Sequence, residues 1–281
     1  MRREFSVLMS VYIKETKENL KECMDSLLTQ TVMPTEVVVV KDGPISQTLD
    51  ELLREYQKNY PNMVRVVGYE ENRGLGYALA YGVKACKYEL IARMDTDDIA
   101  RKDRFEKQLA EFEKDKDLMI CGSHIVEFVK DKNVVKDRRC VPLQDQEIRR
   151  KGKLRDPFNH VTVMFRKSMV LRAGNYESCL SMEDSVLWAK MLQLPHGHVK
   201  NINDYLVYVR ADEDMIERRG GLWYLKRYMA GRKRMKKLGY IGAAHYYFSI
   251  FAQFLVSIMP LKLRNIVFVK FLRRQGGTDA K

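Results

Sequence analysis

The sequence has few of the residues that mark disulfide-rich, collagen-like or disordered chains. Its 281 residues include 5 Cys, 7 Pro and 16 Gly. The cysteines are odd in number, widely scattered and without a C-x-x-C pair, so neither a disulfide framework nor a cysteine zinc site is indicated. Residues 1–4 lead directly into a short apolar run, which does not resemble a signal peptide. We therefore expect a folded chain in a reducing, cytosolic compartment.

Long apolar runs are also missing, except for residues 241–259, which contain no Lys, Arg, Asp or Glu. At about 1.5 Å per residue, this run barely approaches a bilayer core of roughly 30 Å. Its polar residues fall on one side of a helix; they are Gly242, His245, Ser249, Gln253 and Ser257. The pattern favours a helix lying in a membrane interface. A helix packed on the body or in a dimer, and a spanning helix, are the alternatives.

Acidic residues are nearly absent from the end of the chain. Residues 222–281 hold 13 of the 50 Lys and Arg but one of the 37 Asp and Glu, so this segment carries +12 of the net charge of +13. A near-neutral body with a cationic, aromatic-rich extension predicts contact with an anionic surface, either phospholipid or nucleic acid. We expect a catalytic domain over residues 1–221 and a basic, helical, membrane-associating extension over 222–281.

The first 130 residues alternate short apolar runs with segments of helical periodicity. Five strands are predicted: Phe5–Val11, Glu36–Val40, Val64–Val67, Tyr88–Met94 and Leu118–Val129. Further elements follow as a hairpin at 131–133, a helix at 144–152, a strand at 161–166, a helix at 182–193 and a strand at 204–210. The alternation is typical of an α/β fold with a mainly parallel sheet flanked by helices.

Three carboxylates follow the fourth predicted strand: Asp95, Asp97 and Asp98. The carboxyl ends of parallel strands face the ligand crevice of an α/β sheet, so these side chains are expected in that crevice. Crowded carboxylates suit a hard divalent cation such as Mg²⁺ or Mn²⁺, which commonly shares its ligands with substrate phosphates. The alternative is an acidic loop in which Asp98 caps the next helix.

Other polar residues at the ends of elements are weaker candidates. Asp42 follows the second strand and could accept a hydrogen bond from a nucleotide, or simply belong to an Asp-Gly turn. Arg73, beside Gly74 and Gly76, could meet phosphate, although a lone Gly-x-Gly more often only begins a helix.

Two acids, Glu183 and Asp184, begin a predicted helix. The helix dipole favours acids there, and a general base acting on a sugar hydroxyl is the functional alternative. His160 and the pair Arg218 and Arg219 lie at the edges of elements, where they could contact substrate.

Taken together, these motifs resemble the family 2 glycosyltransferases of the GT-A fold, in the same order along nearly the whole body. The matching segments are Ser6–Tyr12, Val39–Gly43, Asn72–Gly76, Met94–Asp98, His160–Arg166 and Glu183–Asp184. The resemblance is strongest to bacterial enzymes that build exopolysaccharide, capsule or lipopolysaccharide, including an amylovoran-type group whose Arg-Arg-Gly-Gly stretch is similar to residues 218–221.

The resemblance implies a role for each candidate residue. Tyr12 and Asp42 would hold the nucleotide base, Arg73 would contact the donor, and Asp95 would bind the ribose or the metal. Asp97 would be the ligand of Mn²⁺ or Mg²⁺ at the diphosphate, and Asp184 the base of an inverting displacement. The remaining candidates would contact the acceptor or the diphosphate; they are Glu183, His160, Arg218 and Arg219.

The predicted function is transfer of one sugar from a nucleotide-diphosphate sugar, with UDP favoured, to a hydroxyl of a lipid-linked saccharide. The Gln-x-x-Arg-Trp element of the processive members is missing, which favours single-sugar transfer. We expect a peripheral protein at the inner face of the cell membrane, bound to anionic lipid through residues 222–281, with no nucleic-acid partner. The alternatives are a nucleotidyltransferase acting on sugar phosphates and a nucleic-acid-binding protein using the basic extension.

Overall fold

The fold is an α/β sandwich built on one curled, mixed sheet. The computed structural model describes residues 4–178, 182–211, 220–260, 263–264 and 267. The strands are β1 (Phe5–Val11), β2 (Glu36–Asp42), β3 (Val64–Tyr69), β4 (Leu90–Arg93), β5 (Ile99–Ala100), β6 (Leu118–Phe128), β7 (Val135–Arg139), β8 (Met164–Arg166) and β9 (His198–Arg210). The helices are α1 (Lys17–Leu28), α2 (Gln47–Asn59), α3 (Leu75–Ala85), α4 (Arg104–Lys114), α5 (Asp145–Gly152), α6 (Lys167–Arg172), α7 (Glu183–Met191), α8 (Gly221–Lys237) and α9 (Ala243–Ile258), with a 3₁₀ turn at His160–Thr162.

The strands run in the order β3-β2-β1-β4-β8-β6-β9-β5, and β7 pairs with β6 outside this path. The first four strands are parallel, as their helical crossovers require. Strand β8 then enters antiparallel between β4 and β6, and β6 pairs in parallel with β9. The α/β prediction is therefore confirmed, while the second half of the sheet mixes parallel and antiparallel pairs.

The sheet positions polar side chains by ending its central strands at one edge. In β1, Leu8 lies opposite Val38 of β2 on one side and Arg93 of β4 on the other. Both strands run parallel to β1, so the loops after β2 and β4 leave the sheet at the same carboxyl edge. This is the edge at which the sequence places Asp42 and the aspartate cluster.

Apolar side chains cover both faces of the sheet. Helices α1, α2 and α4 pack on one face around Phe5, Met24 and Phe105, all fully buried. Helices α3 and α7 pack on the other face, where Trp188 is almost fully buried.

The second core also includes residues from beyond position 221. Met235 at the end of α8, together with Tyr240 and Ile241 in the turn before α9, is buried in it. Helix α8 packs on α7, and α9 packs on α8. The basic helices therefore share a core with the body, while the boundary between 221 and 222 stays a prediction.

Helix α9 packs on the body with its polar side inward, the reverse of an ordinary packed amphipathic helix. Its polar stripe faces the body, with Ser249 and Ser257 only 5% and 6% exposed. The opposite face carries Phe248 and Phe251, which are 62% and 61% exposed. Among the described residues, no helix has both the length and the apolar character needed to cross a membrane.

Candidate active site

The aspartates after β4 form a compact oxygen cluster. One carboxylate oxygen from each of Asp95, Asp97 and Asp98 lies within 4.8 Å of the others. The buried guanidinium of Arg93, at the end of β4, pairs with Asp95. The backbone N–H of Arg210, at the end of β9, donates to Asp98 Oδ1 at 2.8 Å. The cluster is therefore fixed by two strands of the sheet.

The cluster contains more negative charge than its neighbours compensate. Burial and the charges of Asp95 and Glu15 raise the pKa of Asp97 to about 7. Burial and its two aspartate neighbours also raise the pKa of Asp98 well above its usual value. Glu15 adds a fourth carboxylate, which accepts a hydrogen bond from Thr96. Such a site favours a positive ligand.

This donor set fits a divalent cation of the Mg²⁺ or Mn²⁺ type. Hard cations prefer carboxylate oxygens, and three of them converge here from one short loop. A bound cation would also remove the repulsion that raises the pKa of Asp97 and Asp98. The residues that could hold it are Asp95, Asp97 and Asp98.

Asp184 at the beginning of α7 lies beside another carboxylate, Asp156. Ser185 Oγ donates a hydrogen bond to Asp156 Oδ1 and lies 3.5 Å from Asp184 Oδ1. Burial, followed by the charges of Asp156 and Glu183, raises the pKa of Asp184 to about 8. A carboxylate with a raised pKa is a stronger base, as proton abstraction from a hydroxyl requires.

One cavity of about 620 Å³ joins the two groups of acids. Asp95 and Asp98 line it together with Asp184 and His160. Helices α8 and α9 also contribute to the lining; their residues there are Tyr224, Tyr228, Arg232, Gln253 and Val256. The basic extension thus borders the same space as the catalytic candidates.

Asp42 organises the loop that follows β3. Its carboxylate accepts hydrogen bonds from Tyr69 Oη at 2.8 Å, the Asn72 side chain at 3.1 Å, and the N–H groups of Arg73 at 2.7 Å and Gly74 at 3.0 Å. Two bonds fall on each carboxylate oxygen. The predicted contact of Asp42 with a nucleotide base stays a prediction.

The other predicted residues lie around this site in different environments. Tyr12 follows β1 and is 44% exposed, while the Arg73 side chain is exposed and donates to Tyr77 Oη at 2.9 Å. His160 bonds through Nε2 to Tyr176 Oη at 2.9 Å, and burial and the Arg93 charge lower its pKa well below the usual value. Burial raises the pKa of Glu183.

Five of the predicted site residues are not among those that line the 620 Å³ cavity; they are Tyr12, Asp42, Arg73, Asp97 and Glu183. The Arg218 and Arg219 pair lies outside the described residues.

Two functional neighbours were missed by the sequence interpretation. Asp156 precedes Pro157 in an irregular segment, so nothing local connects it with Asp184. Arg93 could have been recognised, because a cation at the end of an apolar strand directly before three acids must pair with one of them.

Comparison with known proteins gives consistent results. The model of the family described as "Glycosyl transferase family 2" matches residues 6–174. An amylovoran biosynthesis glycosyltransferase of Erwinia amylovora is 36% identical over 95% of this chain and 98% of its own length. A UDP-Gal:alpha-D-GlcNAc-diphosphoundecaprenol beta-1,3-galactosyltransferase of Escherichia coli is 33% identical over 96% of this chain and 97% of its own.

Among solved structures, a mannosyltransferase from Pyrobaculum calidifontis in complex with GDP-Man and Mn²⁺ superposes with a TM-score of 0.63 at 15% identity. The match covers 89% of this chain and 69% of that one. At this identity the likeness describes the fold.

Proposed function

Because the chain belongs to glycosyltransferase family 2 and has the GT-A fold, we propose that it transfers one sugar from UDP to a hydroxyl of a lipid-linked saccharide, with inversion at the anomeric carbon. The single observation that carries the proposal is the common cavity. It brings the oxygen cluster of Asp95 and Asp98 and the basic carboxylate of Asp184 to one space of about 620 Å³.

In this proposal the donor diphosphate lies at the aspartate cluster. Asp95, Asp97 and Asp98 would hold Mn²⁺ or Mg²⁺, and Arg93 fixes the orientation of Asp95. The chemistry that such a cation supplies when bound is stabilisation of negative charge on the departing nucleoside diphosphate. Tyr12, Asp42 and Arg73 belong to the proposed nucleotide side of the site.

Asp184 acts on the acceptor. Its carboxylate takes the proton of the attacking hydroxyl, whose oxygen then bonds to the anomeric carbon as the bond to the diphosphate breaks. Asp156 strengthens the base because two neighbouring carboxylates disfavour a second negative charge. Attack by a hydroxyl on the face opposite the leaving group gives inversion. His160 and Glu183 are proposed contacts of the acceptor or the diphosphate, as are Arg218 and Arg219.

The choice of donor and acceptor rests on a relative. The galactosyltransferase from Escherichia coli is named for a UDP-sugar and for a diphosphoundecaprenol-linked acceptor, and it aligns with nearly all of this chain. The basic helices beside the cavity suit an acceptor carried by a lipid at an anionic membrane surface. We therefore place the proposed reaction at the inner face of the cell membrane, in surface polysaccharide synthesis.

The experiment that tests this function is incubation of the full chain with a panel of nucleotide sugars, Mn²⁺ and a lipid-linked acceptor, with identification of the released nucleotide. A glycosyltransferase releases a nucleoside diphosphate from this mixture. A nucleotidyltransferase would instead release pyrophosphate from a nucleoside triphosphate and a sugar phosphate, so a parallel incubation contains these two substrates. NMR of the new linkage reports whether the anomeric configuration has inverted. Pyrophosphate release without sugar transfer would contradict the proposal.

A further inference from the structure

Helix α9 presents a continuous apolar face that no described residue covers. The large exposed side chains on it are Tyr247, Phe248, Phe251, Phe254, Leu255 and Ile258. At about 100° per residue they span an arc of roughly 120° on the helix. Three phenylalanines on one exposed arc are more than the scattered apolar residues of an ordinary surface.

The opposite side of α9 is anchored by polar contacts. Arg232 of α8 is buried and donates through Nε to Ser249 Oγ at 3.0 Å and through Nη2 to the Lys153 carbonyl at 2.6 Å. Turning the helix to expose its polar stripe would break the bond to Ser249 and leave Nε of a buried guanidinium without this acceptor. The apolar face is thus held outward by the fold.

A cationic side chain borders this face, and others lie exposed on the neighbouring helix α8. Helices α8 and α9 contain no Asp or Glu, and exposed lysines of α8 include Lys226, Lys233 and Lys236. Lys236 Nζ lies 5.3 Å from the centre of the Tyr247 ring, so the charge and the apolar face are direct neighbours. Anionic headgroups around an acyl layer have the complementary arrangement.

The same charges disfavour a second copy of the chain as the occupant. A two-fold dimer through this face would set each surface against its own equivalent. Lysines would then meet lysines, with no acid on either helix to pair with them.

We propose that the exposed face of α9 inserts into the headgroup region of an anionic lipid bilayer, with the lysines of α8 on its phosphates. Gln253 and Val256 of the same helix line the cavity that contains Asp184. A helix is about 10 Å across, so the bilayer lies one helix width from that cavity. A lipid-linked acceptor can thus enter without leaving the membrane; this last step rests on the proposed function.

The experiment is co-sedimentation of the full chain with vesicles of phosphatidylglycerol and phosphatidylcholine, and with vesicles of phosphatidylcholine alone, at low and high salt. The test variant is F248S combined with F251S; K233Q combined with K236Q tests the charge. Leu171→Ser is the matched control, because Leu171 is also an exposed apolar residue but lies on α6. UDP release from a UDP-sugar with a water-soluble acceptor is measured on the same samples.

We expect the wild type and Leu171→Ser to bind the anionic vesicles. The phenylalanine variant should bind about tenfold or more weakly, because it lacks two rings that the bilayer would bury. The lysine variant should bind more weakly and with less dependence on salt. Failure of the wild type to bind, or equal binding of the phenylalanine variant, would overturn the proposal. The proposal would also be overturned if the wild type formed a dimer and the phenylalanine variant, but not the Leu171→Ser control, were monomeric.

These outcomes separate the two proposals. Vesicle binding by a chain that transfers no sugar would leave the membrane face standing and remove the proposed function. Sugar transfer to a soluble acceptor by a chain that ignores vesicles would do the reverse.

Discussion

At the scale of single residues, Asp97 has the clearest expected effect. Asp97→Ala removes one of three converging carboxylates, so metal-dependent turnover should fall at least about 10²-fold. The fold should survive, because the change relieves the repulsion that raises the pKa of Asp97. Turnover with added Mn²⁺ and thermal unfolding check the two parts. The control is Asp117→Asn, which changes an exposed acid distant in sequence from the cluster. Normal activity of the Asp97→Ala variant without metal would contradict the assignment of Asp97 as a metal ligand.

Asp184→Asn keeps the shape of the side chain and removes its basicity. We expect donor binding to stay nearly unchanged and kcat to fall by about 10² or more, the usual contribution of a general base. Calorimetric titration with the nucleotide sugar and steady-state kinetics measure the two quantities. If the variant binds donor poorly but turns over normally at saturation, Asp184 is a donor ligand and Glu183 becomes the next candidate base.

The pH dependence of the reaction tests whether the charge of Asp156 raises the pKa of Asp184. A base must be deprotonated to act, so a pKa of about 8 makes kcat/KM rise with pH until about 8. Asp156→Asn removes one of the charges that raise this pKa, which should move the rise to lower pH. Asp117→Asn, which removes an exposed acid that does not line the cavity, is the control. An unchanged profile in the Asp156 variant would separate this residue from the base.

The residue scale also shows where sequence interpretation stops. The acids at 95–98 were found because they follow one strand, and Asp184 because it begins a helix. Asp156 carries no such local signal, since only the packing of α7 brings Ser185 against it. Residues that depend on contacts distant in sequence cannot be recognised from neighbours in the chain.

At the scale of elements, helix α3 lies so close to the sheet at Gly82 that there is no space for a larger side chain. A Cβ added at Gly82 would lie 2.2 Å from Leu8 Cδ1 and 2.9 Å from Val40 Cγ2, inside the core. Gly82→Ala should therefore lower the free energy of unfolding by roughly 1–3 kcal/mol, the usual cost of overpacking. Urea denaturation measures it. Lys84→Ala, on the exposed side of the same helix, should change the value by less than about 0.5 kcal/mol.

Most elements could be predicted, and the exceptions have physical causes. The bounds of β1 agree with the sequence, and β6 differs by one residue. Strand β9 begins at His198, six residues before the predicted strand. The sequence pattern did not indicate its first half as strand because that half is largely polar. Asn201 can occupy a buried strand since its side chain donates to the carbonyls of Pro142 and Pro157.

The way in which α9 packs is a second point that the sequence leaves open. The periodicity indicates two different faces, but it does not say which one is covered. Arg232, on another helix, decides the question by bonding to Ser249.

At the scale of the whole molecule, the basic extension contributes to the core. A chain ending at Gly221 would lose Met235, Tyr240 and Ile241 from the second core and uncover α7. Each buried apolar side chain contributes about 1.5–3 kcal/mol, so we expect a large drop in melting temperature and in donor binding. Circular dichroism on heating measures the first. A chain ending at residue 264, which keeps α8 and α9, is the control; unchanged melting of the shorter chain would make 1–221 an independent domain.

The position of β6 in the sheet sets the order in which the molecule can be assembled. All eleven residues of this strand are buried, yet its partners β7, β8 and β9 follow it in the chain. His198, where β9 begins, lies about 70 residues after the end of β6, which a ribosome adding roughly 5–20 residues per second needs several seconds to synthesise. During that interval the nascent chain carries a strand with an unpaired edge, the kind of surface that promotes association with other chains.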